Sequence, residues 1–329
     1  MEEFRSAISA KLKRVSGCDA NPDTEIIPTI GCQFAIFSSI LLLVNPGDEV
    51  LIMDPEYSNI APLVNMVGGR PVYVPFTRTD NGWAFSCSDV ARRVSPRTRL
   101  FVFSNGSNPT GILMTPEDLM AIGRMAEAHN FMLFADEENE HIAFDNKKHV
   151  SMTSFPRFRD RVIAGFSFSK AYAMSGFRIG YMVGPAWLVD FAADLTYLAV
   201  QGCAALSQKA AIVALSLPVA DWLEANALNL QHKRDFAVAR LNSMPGVRCS
   251  TPSGCYFLFP EIRTLGLSST EFTERLQTEE KVLVRPGVAY GCCGEGHVRM
   301  SFGVSEVDLE EGLDRFERFV KRLAAGSKI

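Results

Sequence analysis

A lysine within a hydroxyl-rich stretch is the clearest chemical signal in the chain. Ser167-Phe168-Ser169-Lys170-Ala171-Tyr172 runs on through Ala173-Met174-Ser175-Gly176-Phe177-Arg178-Ile179-Gly180, directly after an apolar run that reads as a strand. A lysine amine condenses with an aldehyde only when uncharged, so a reactive lysine needs a desolvated or cationic setting. Lys170 has apolar and hydroxyl neighbours in the sequence, with Arg178 further on. Ser167, Ser169 and Arg178 offer two hydroxyl donors and one planar fork, a set suited to a phosphate dianion. Asp136 closes the apolar run Phe131–Ala135. A carboxylate there lies on the rim where open α/β sheets bind ligands; taken alone, it could equally cap a helix. Gly31-Cys32-Gln33 opens an apolar helix after the first β-like run, and helix N-termini present free amides to phosphate. Arg299 stands in the strand-like run His297–Phe302. Its guanidinium either grips a carboxylate with both arms or sits on an exposed strand edge.

The elements that must hold these residues can be read from the pattern. Strand-like runs, rich in Val, Ile and Phe, fall at Glu25–Ile30, Glu49–Asp54, Arg70–Pro75, Thr98–Ser104, Phe131–Glu137, Arg161–Ser167 and Ile179–Pro185. Most are apolar throughout, as strands covered on both faces are. Helical stretches alternate with them, and alternation of β and α implies a mostly parallel sheet. Thr115-Pro116-Glu117-Asp118 is a helix start: an N-cap, proline in the first turn, then acids at the positive end of the dipole. Phe4, Ile8, Leu12 and Val15 recur at helical spacing, and Phe34–Val44 reads as a buried helix. After Trp187 long helical stretches run to about Met244, with a proline break at Pro218. A small α+β segment follows, ending in a helix with Leu309, Leu313, Phe316, Val320 and Leu323 on one stripe. The sequence therefore predicts a large α/β domain over 1–220, and a connecting helix with a small C-terminal domain over 221–329.

Composition bounds the partners. The chain has 329 residues and a net charge of −4, which points away from nucleic acid. Its longest apolar run is about half a membrane span, and no leader peptide is visible. The eight cysteines, Cys18, Cys32, Cys87, Cys203, Cys249, Cys255, Cys292 and Cys293, show no zinc-type pairing. Free thiols in the cytoplasm are the reading, with no metal.

The lysine stretch resembles the attachment signature of class I and II aminotransferases, which are fold-type I enzymes dependent on pyridoxal phosphate. The aspartate/aromatic branch is the most similar. The resemblance covers nearly all of residues 1–325 and implies a three-layer αβα domain with a seven-stranded sheet. It implies that Lys170 holds pyridoxal 5′-phosphate as a Schiff base and moves a proton during catalysis. Asp136 would brace the pyridine nitrogen. Asn108, in Asn108-Pro109-Thr110-Gly111, would bond the ring hydroxyl and a substrate carboxylate. Gly31, Cys32 and Gln33 would donate backbone amides, and Ser167, Ser169 and Arg178 side chains, to the phosphate. Tyr57, in Asp54-Pro55-Glu56-Tyr57, would stack on the ring or be simply buried, and Arg299 would grip the substrate α-carboxylate. The landmarks Pro252–Phe257 and Pro286–Gly291 also resemble the family's small domain. The reaction implied is transfer of an amino group from an L-amino acid to a 2-oxo acid, in a homodimer.

Two departures qualify the resemblance. The family usually places a tyrosine three residues after the cofactor aspartate, where this chain has Asn139. An amide can donate a hydrogen bond there but cannot ionise, so Asn139 enters the cofactor-binding set with altered chemistry. His141 does not match the tyrosine position. The family also carries an N-terminal arm before the helix that opens this sequence, so the resemblance implies a truncated product or a more open site. Together these keep a second reading in view, another pyridoxal-phosphate reaction such as a β-elimination, cyclisation or oxidation. A third is a non-catalytic homologue.

Overall fold

The apolar runs assemble into one central sheet in a computed structural model that describes residues 1–79, 82–216 and 218–326. In chain order the strands of the first half are β1 (Ile26–Thr29), β2 (Glu49–Asp54), β3 (Arg70–Pro75), β4 (Thr77–Thr79), β5 (Gly82–Ala84) and β6 (Thr98–Ser104). They continue as β7 (Met132–Asp136), β8 (Val162–Ser167), β9 (Gly180–Val183), β10 (Phe257–Leu258), β11 (Arg285–Pro286) and β12 (Val298–Ser301). The helices are α1 (Glu2–Ser16), α2 (Cys32–Leu43), α3 (Ile60–Met66), α4 (Cys87–Ala91) and α5 (Pro116–His129). They continue as α6 (Ala186–Val200), α7 (Ala205–Ala214), α8 (Pro218–Asn242), α9 (Ser269–Glu280) and α10 (Glu306–Gly326).

The large sheet has seven strands in the order β1-β9-β8-β7-β6-β2-β3. Its pairings are parallel except those of β9, which runs antiparallel to β8 and to β1. Alternate side chains leave opposite faces of a strand, and each face finds its own cover. Val50, Ile52, Leu100 and Val102 join Ile36 and Ile40 of α2 and Leu188 of α6 on one side. Leu51, Met53, Phe101 and Phe103 join Leu119 and Ile122 of α5 on the other. That makes three layers. A further cluster closes the β8–β9 end, where Phe4, Ile8 and Leu12 of α1 meet Phe166, Phe168 and Tyr181.

Three local outcomes differ from the pattern reading. Only one side of α2 is buried, and Leu41 is exposed, because the helix lies flat on the sheet and its back faces outward. Val15, in the last turn of α1, also surfaces. The hairpin β4–β5 went unread because its strands are three residues each, too short for a period to show.

Thr115 caps α5 as its sequence implies. Its hydroxyl accepts from Asp118 N, and the Asp118 carboxylate accepts from Thr115 N. Such a box contributes about 1 kcal/mol. The C-terminal segment has its own core. Leu309, Leu313, Phe316 and Val320 of α10 pack on Phe272 of α9, Leu241 of α8 and the small sheet β10-β12-β11. The boundary expected at 220/221 falls inside α8, whose helix is continuous from Pro218 to Asn242. Among the described residues no helix is long and apolar enough to cross a membrane.

Candidate active site

The strand order places the chemistry. Asp136 ends β7, Ser167 ends β8, and α2 starts just past β1, so their groups gather at one edge of the sheet. The Asp136 carboxyl is buried, taking hydrogen bonds from the Cys32 thiol at 3.4 Å and from Glu138 N at 3.2 Å. Burial, and then the charge of Glu138, hold it well above the usual carboxylate range. A carboxylate in that position gains from a cation brought against it.

Lys170 follows β8. Its Nζ lies 3.5 Å from Glu138 Oε1 and 5.5 Å from the centroid of the Tyr256 ring. Asp136 also acts on its charge. Burial alone would lower the lysine's proton affinity, but Glu138, Tyr256 and Asp136 outweigh it and raise it. This corrects the expectation of an amine among apolar and hydroxyl groups alone. The acid that reverses the sign sits two residues beyond Asp136.

The anion cradle is built from Arg178 and the open end of α2. No side chain caps that helix, so its first amides are free of side-chain partners. Gly31 has φ +72°, and a Cβ on it would lie 2.8 Å from Arg178 Nη2. The guanidinium therefore lies against the loop that begins the helix, an approach only glycine permits. Arg178 Nη1 reaches Ser169 Oγ at 3.4 Å and Ser175 O at 3.0 Å, and Ser167 Oγ accepts from Ser169 N at 3.0 Å. Arg178 itself has φ +50°, a left-handed conformation that costs a side-chain-bearing residue roughly 1–2 kcal/mol. Gln33 and Tyr57 meet through Asn59, whose Nδ2 reaches Gln33 Oε1 at 3.5 Å and Tyr57 Oη at 3.0 Å. Lys170, Asp136 and Cys32 all act on the Tyr57 phenol, which burial raises.

The two residues expected to meet a carboxylate come together across the chain. Arg299 Nη1, on β12, donates to Asn108 Oδ1 at 3.1 Å. The guanidinium lies 4.0 Å from the Phe257 ring centroid and 5.2 Å from that of Tyr290. Its Nε is buried with no partner. Asn108 is buried as well. Backbone bonds lock this corner. Gly111 O accepts from Ser253 N and Gly254 N at 2.9 Å each, and Phe144 N and Cys255 N bond Ser253 O and Ile142 O at 3.0 and 3.1 Å.

Asn139 is buried and turned aside, its Nδ2 donating to Gly106 O at 3.0 Å while Oδ1 has no partner. His141 pairs with Tyr172 at 3.2 Å. Pattern reading missed four contributors. Glu138 had a visible signal, an acid one alternation beyond Asp136. Tyr256 and Tyr290 lay in noted landmarks without a role. Glu56 is buried beneath the site, its carboxylate accepting from Ser104 N, Ser104 Oγ and Tyr57 N at 3.0, 2.7 and 2.8 Å. Burial pushes its pKa up to about 7.

A half-buried amine beside acids, an uncovered helix N-terminus with an arginine, and a second arginine across the cleft define an α/β group-transfer enzyme for an anionic substrate. A family model for aminotransferase class I and II matches residues 1–316. An aromatic-amino-acid aminotransferase of Thermococcus litoralis is 35% identical over 97% of this chain and 82% of its own. An aspartate aminotransferase of Pyrococcus abyssi is 32% identical over 98% and 82%. The solved aromatic aminotransferase of Pyrococcus horikoshii superposes with a TM-score of 0.94 at 33% identity, over 98% of this chain and 86% of that one. The chain belongs to the class I and II aminotransferase family, and it is a transaminase.

Proposed function

We propose that this transaminase carries pyridoxal 5′-phosphate on Lys170 and moves the amino group of an L-amino acid to a 2-oxo acid. The observation that carries the reading is the convergence of Lys170, Asp136 and the Gly31–Arg178 cradle at one sheet edge. When bound, the cofactor supplies an aldehyde for the amine and an electron-withdrawing ring. Asp136 keeps a proton on the ring nitrogen, which suits a buried carboxyl lacking a cation. Arg178, Ser167, Ser169 and the amides of Gly31, Cys32 and Gln33 bind the phosphate. Tyr57 would pack on the ring face. Asn108, which holds Arg299, would also bond the ring hydroxyl, and Asn139, its amide engaged by Gly106 O, would have only its unpaired Oδ1 to offer the cofactor. Arg299 holds the substrate α-carboxylate, for which its unpartnered Nε and aromatic walls are suited. The Lys170 amine, once displaced from the cofactor, would take the proton from the substrate α-carbon and hand it to the carbon of the cofactor's former aldehyde, two bonds away.

We place the working enzyme in the cytoplasm, in keeping with eight free cysteines. We assign it a homodimer through the exposed apolar side chains Phe191, Tyr197, Leu198, Leu206 and Val213 of α6 and α7. We divide it near residue 220 into a cofactor domain and a C-terminal domain. The test is a spectral titration of cofactor-loaded protein, with amino acids added one at a time. Productive donors abolish the absorbance of lysine-bound cofactor, and 2-oxo acids restore it. Lys170→Ala should fold without acquiring that absorbance. A variant that still bound the cofactor covalently would refute the assignment.

A further inference from the structure

The environment of Lys170 poses a problem that its own chemistry must solve. The amine reacts only when uncharged, yet a carboxylate 3.5 Å away stabilises its charged form. Either the lysine is held inactive, or the ammonium proton has somewhere to go. The groups facing it decide which. Asp136 lies beside Glu138 at the end of β7, Cys32 begins α2, Glu56 and Tyr57 follow β2, and Cys255 and Tyr256 precede β10. Asp136 accepts from Cys32 Sγ and Glu138 N, and Glu56 from Ser104 N, Ser104 Oγ and Tyr57 N, so their oxygens are already engaged. The Tyr57 and Tyr256 phenols are raised by burial and stay protonated. Cys32 is raised and already donates to Asp136. Asn139 bonds Gly106 O, and an amide has no proton to exchange.

We propose that Glu138 is a further catalytic residue, the carboxylate that takes the ammonium proton of Lys170 and so releases the reacting amine. The inference rests on the reading of Lys170 as the cofactor-bearing lysine. In the step the Nζ–H bond breaks with its electron pair left on nitrogen, and an O–H bond forms at Glu138 Oε1. An ammonium and a carboxylate become an amine and a carboxylic acid, with no change in total charge and no other reactant. Both side chains are largely buried, at 23% and 19% exposure. Losing two charges together is favoured further as a ligand displaces water. The 3.5 Å separation is slightly beyond hydrogen-bonding range, as catalytic pairs often are before ligand binding. The Tyr256 ring, its centroid 5.5 Å from Lys170 Nζ, flanks the amine.

The test compares Glu138→Gln and Glu138→Asp with the parent. In cofactor-free protein, Lys170 is labelled with an amine-reactive succinimidyl ester across a pH series and followed by peptide mass spectrometry. Glu138→Gln removes the counter-charge, so the labelling midpoint should fall by about one pH unit, a tenfold gain in free amine. In loaded protein, the rate of the half-reaction with a donor amino acid should fall tenfold or more, the low end for an acid–base group. Glu138→Asp should recover both values in part. A side chain with only a structural role would not make the lysine more reactive while making the enzyme slower. An unchanged labelling midpoint, or an unchanged half-reaction rate, overturns the proposal. Borohydride reduction of the loaded parent separates the two layers. If the cofactor is fixed to another lysine, the assignment of Lys170 fails, whatever the Glu138 variants do.

Discussion

Replacing Gly31 with alanine tests the phosphate cradle apart from the rest of the site. A Cβ at Gly31 would meet Arg178 Nη2 at 2.8 Å and Cζ at 3.5 Å. The obstructing atoms are the tip of a flexible side chain, so the guanidinium swings away while the fold survives. Alanine in the left-handed conformation costs roughly 1–2 kcal/mol, and each kcal/mol lowers Tm by about 1–2 °C in a chain of this size. The larger effect falls on binding. Losing hydrogen bonds between the guanidinium and a phosphate removes about 1.5–3 kcal/mol, or roughly ten- to a hundredfold in Kd. The assay titrates cofactor-free protein with pyridoxal phosphate, and separately with pyridoxal, which lacks the phosphate. Gly31→Ala should weaken the first by that factor and leave the second unchanged. Equal losses for both ligands would refute the placement of the cradle, and so would no loss for either.

Arg299→Lys keeps the charge but loses the planar fork between Phe257 and Tyr290. It should raise KM for amino donors about tenfold or more while leaving cofactor affinity intact; steady-state kinetics with a cofactor titration checks both. Burial pushes the Glu137 carboxyl from 4.5 up to about 8, while its Oε1 accepts from Met152 N at 2.7 Å. The folded protein thus holds this proton more tightly than the unfolded chain, and stability falls as pH rises from about 4.5 through about 8. Glu137→Gln should flatten that decline in urea midpoints taken between about pH 5 and about pH 9; parallel curves would contradict a neutral carboxyl. Phe316→Ala, in a fully buried position against Phe272 at 5.5 Å, should cost about 3–5 kcal/mol in denaturant unfolding. A cost below about 1 kcal/mol, typical of surface changes, would mean that α10 is not a core element.

The sheet was legible because buried parallel strands are apolar throughout, and β2, β3 and β6 start and end where the apolar runs do. The site was legible where one segment carries several reacting groups, as from Ser167 to Arg178. It was not legible where partners arrive from far along the chain. Arg299 lies between Phe257 and Tyr290 because β12 pairs with β10 on one side and β11 on the other. No local spacing encodes that register. Glu138 shows a different limit. An acid run at a strand end reads as a solvated turn, and only the fold brings one of its members to a lysine just past the next strand. Lys11 makes the same point, since a charged residue on α1 lies buried between Glu140 and Tyr181.

The four backbone bonds around Gly111 and Ser253 set a limit on how this enzyme can open and shut. They fasten the stretch ending at Cys255 to the turn bearing Asn108 and to the loop after Asp136. There is no slack for a side chain either, since a Cβ at Gly111 would come within 2.2 Å of Pro252 Cβ. Any swing of the C-terminal helices would have its axis at this seam, with residues near it, Tyr256 among them, travelling a short arc and α9 and α10 a long one. A hinge placed there would leave the Tyr256 ring, 5.5 Å from Lys170 Nζ, beside the amine as the helices moved.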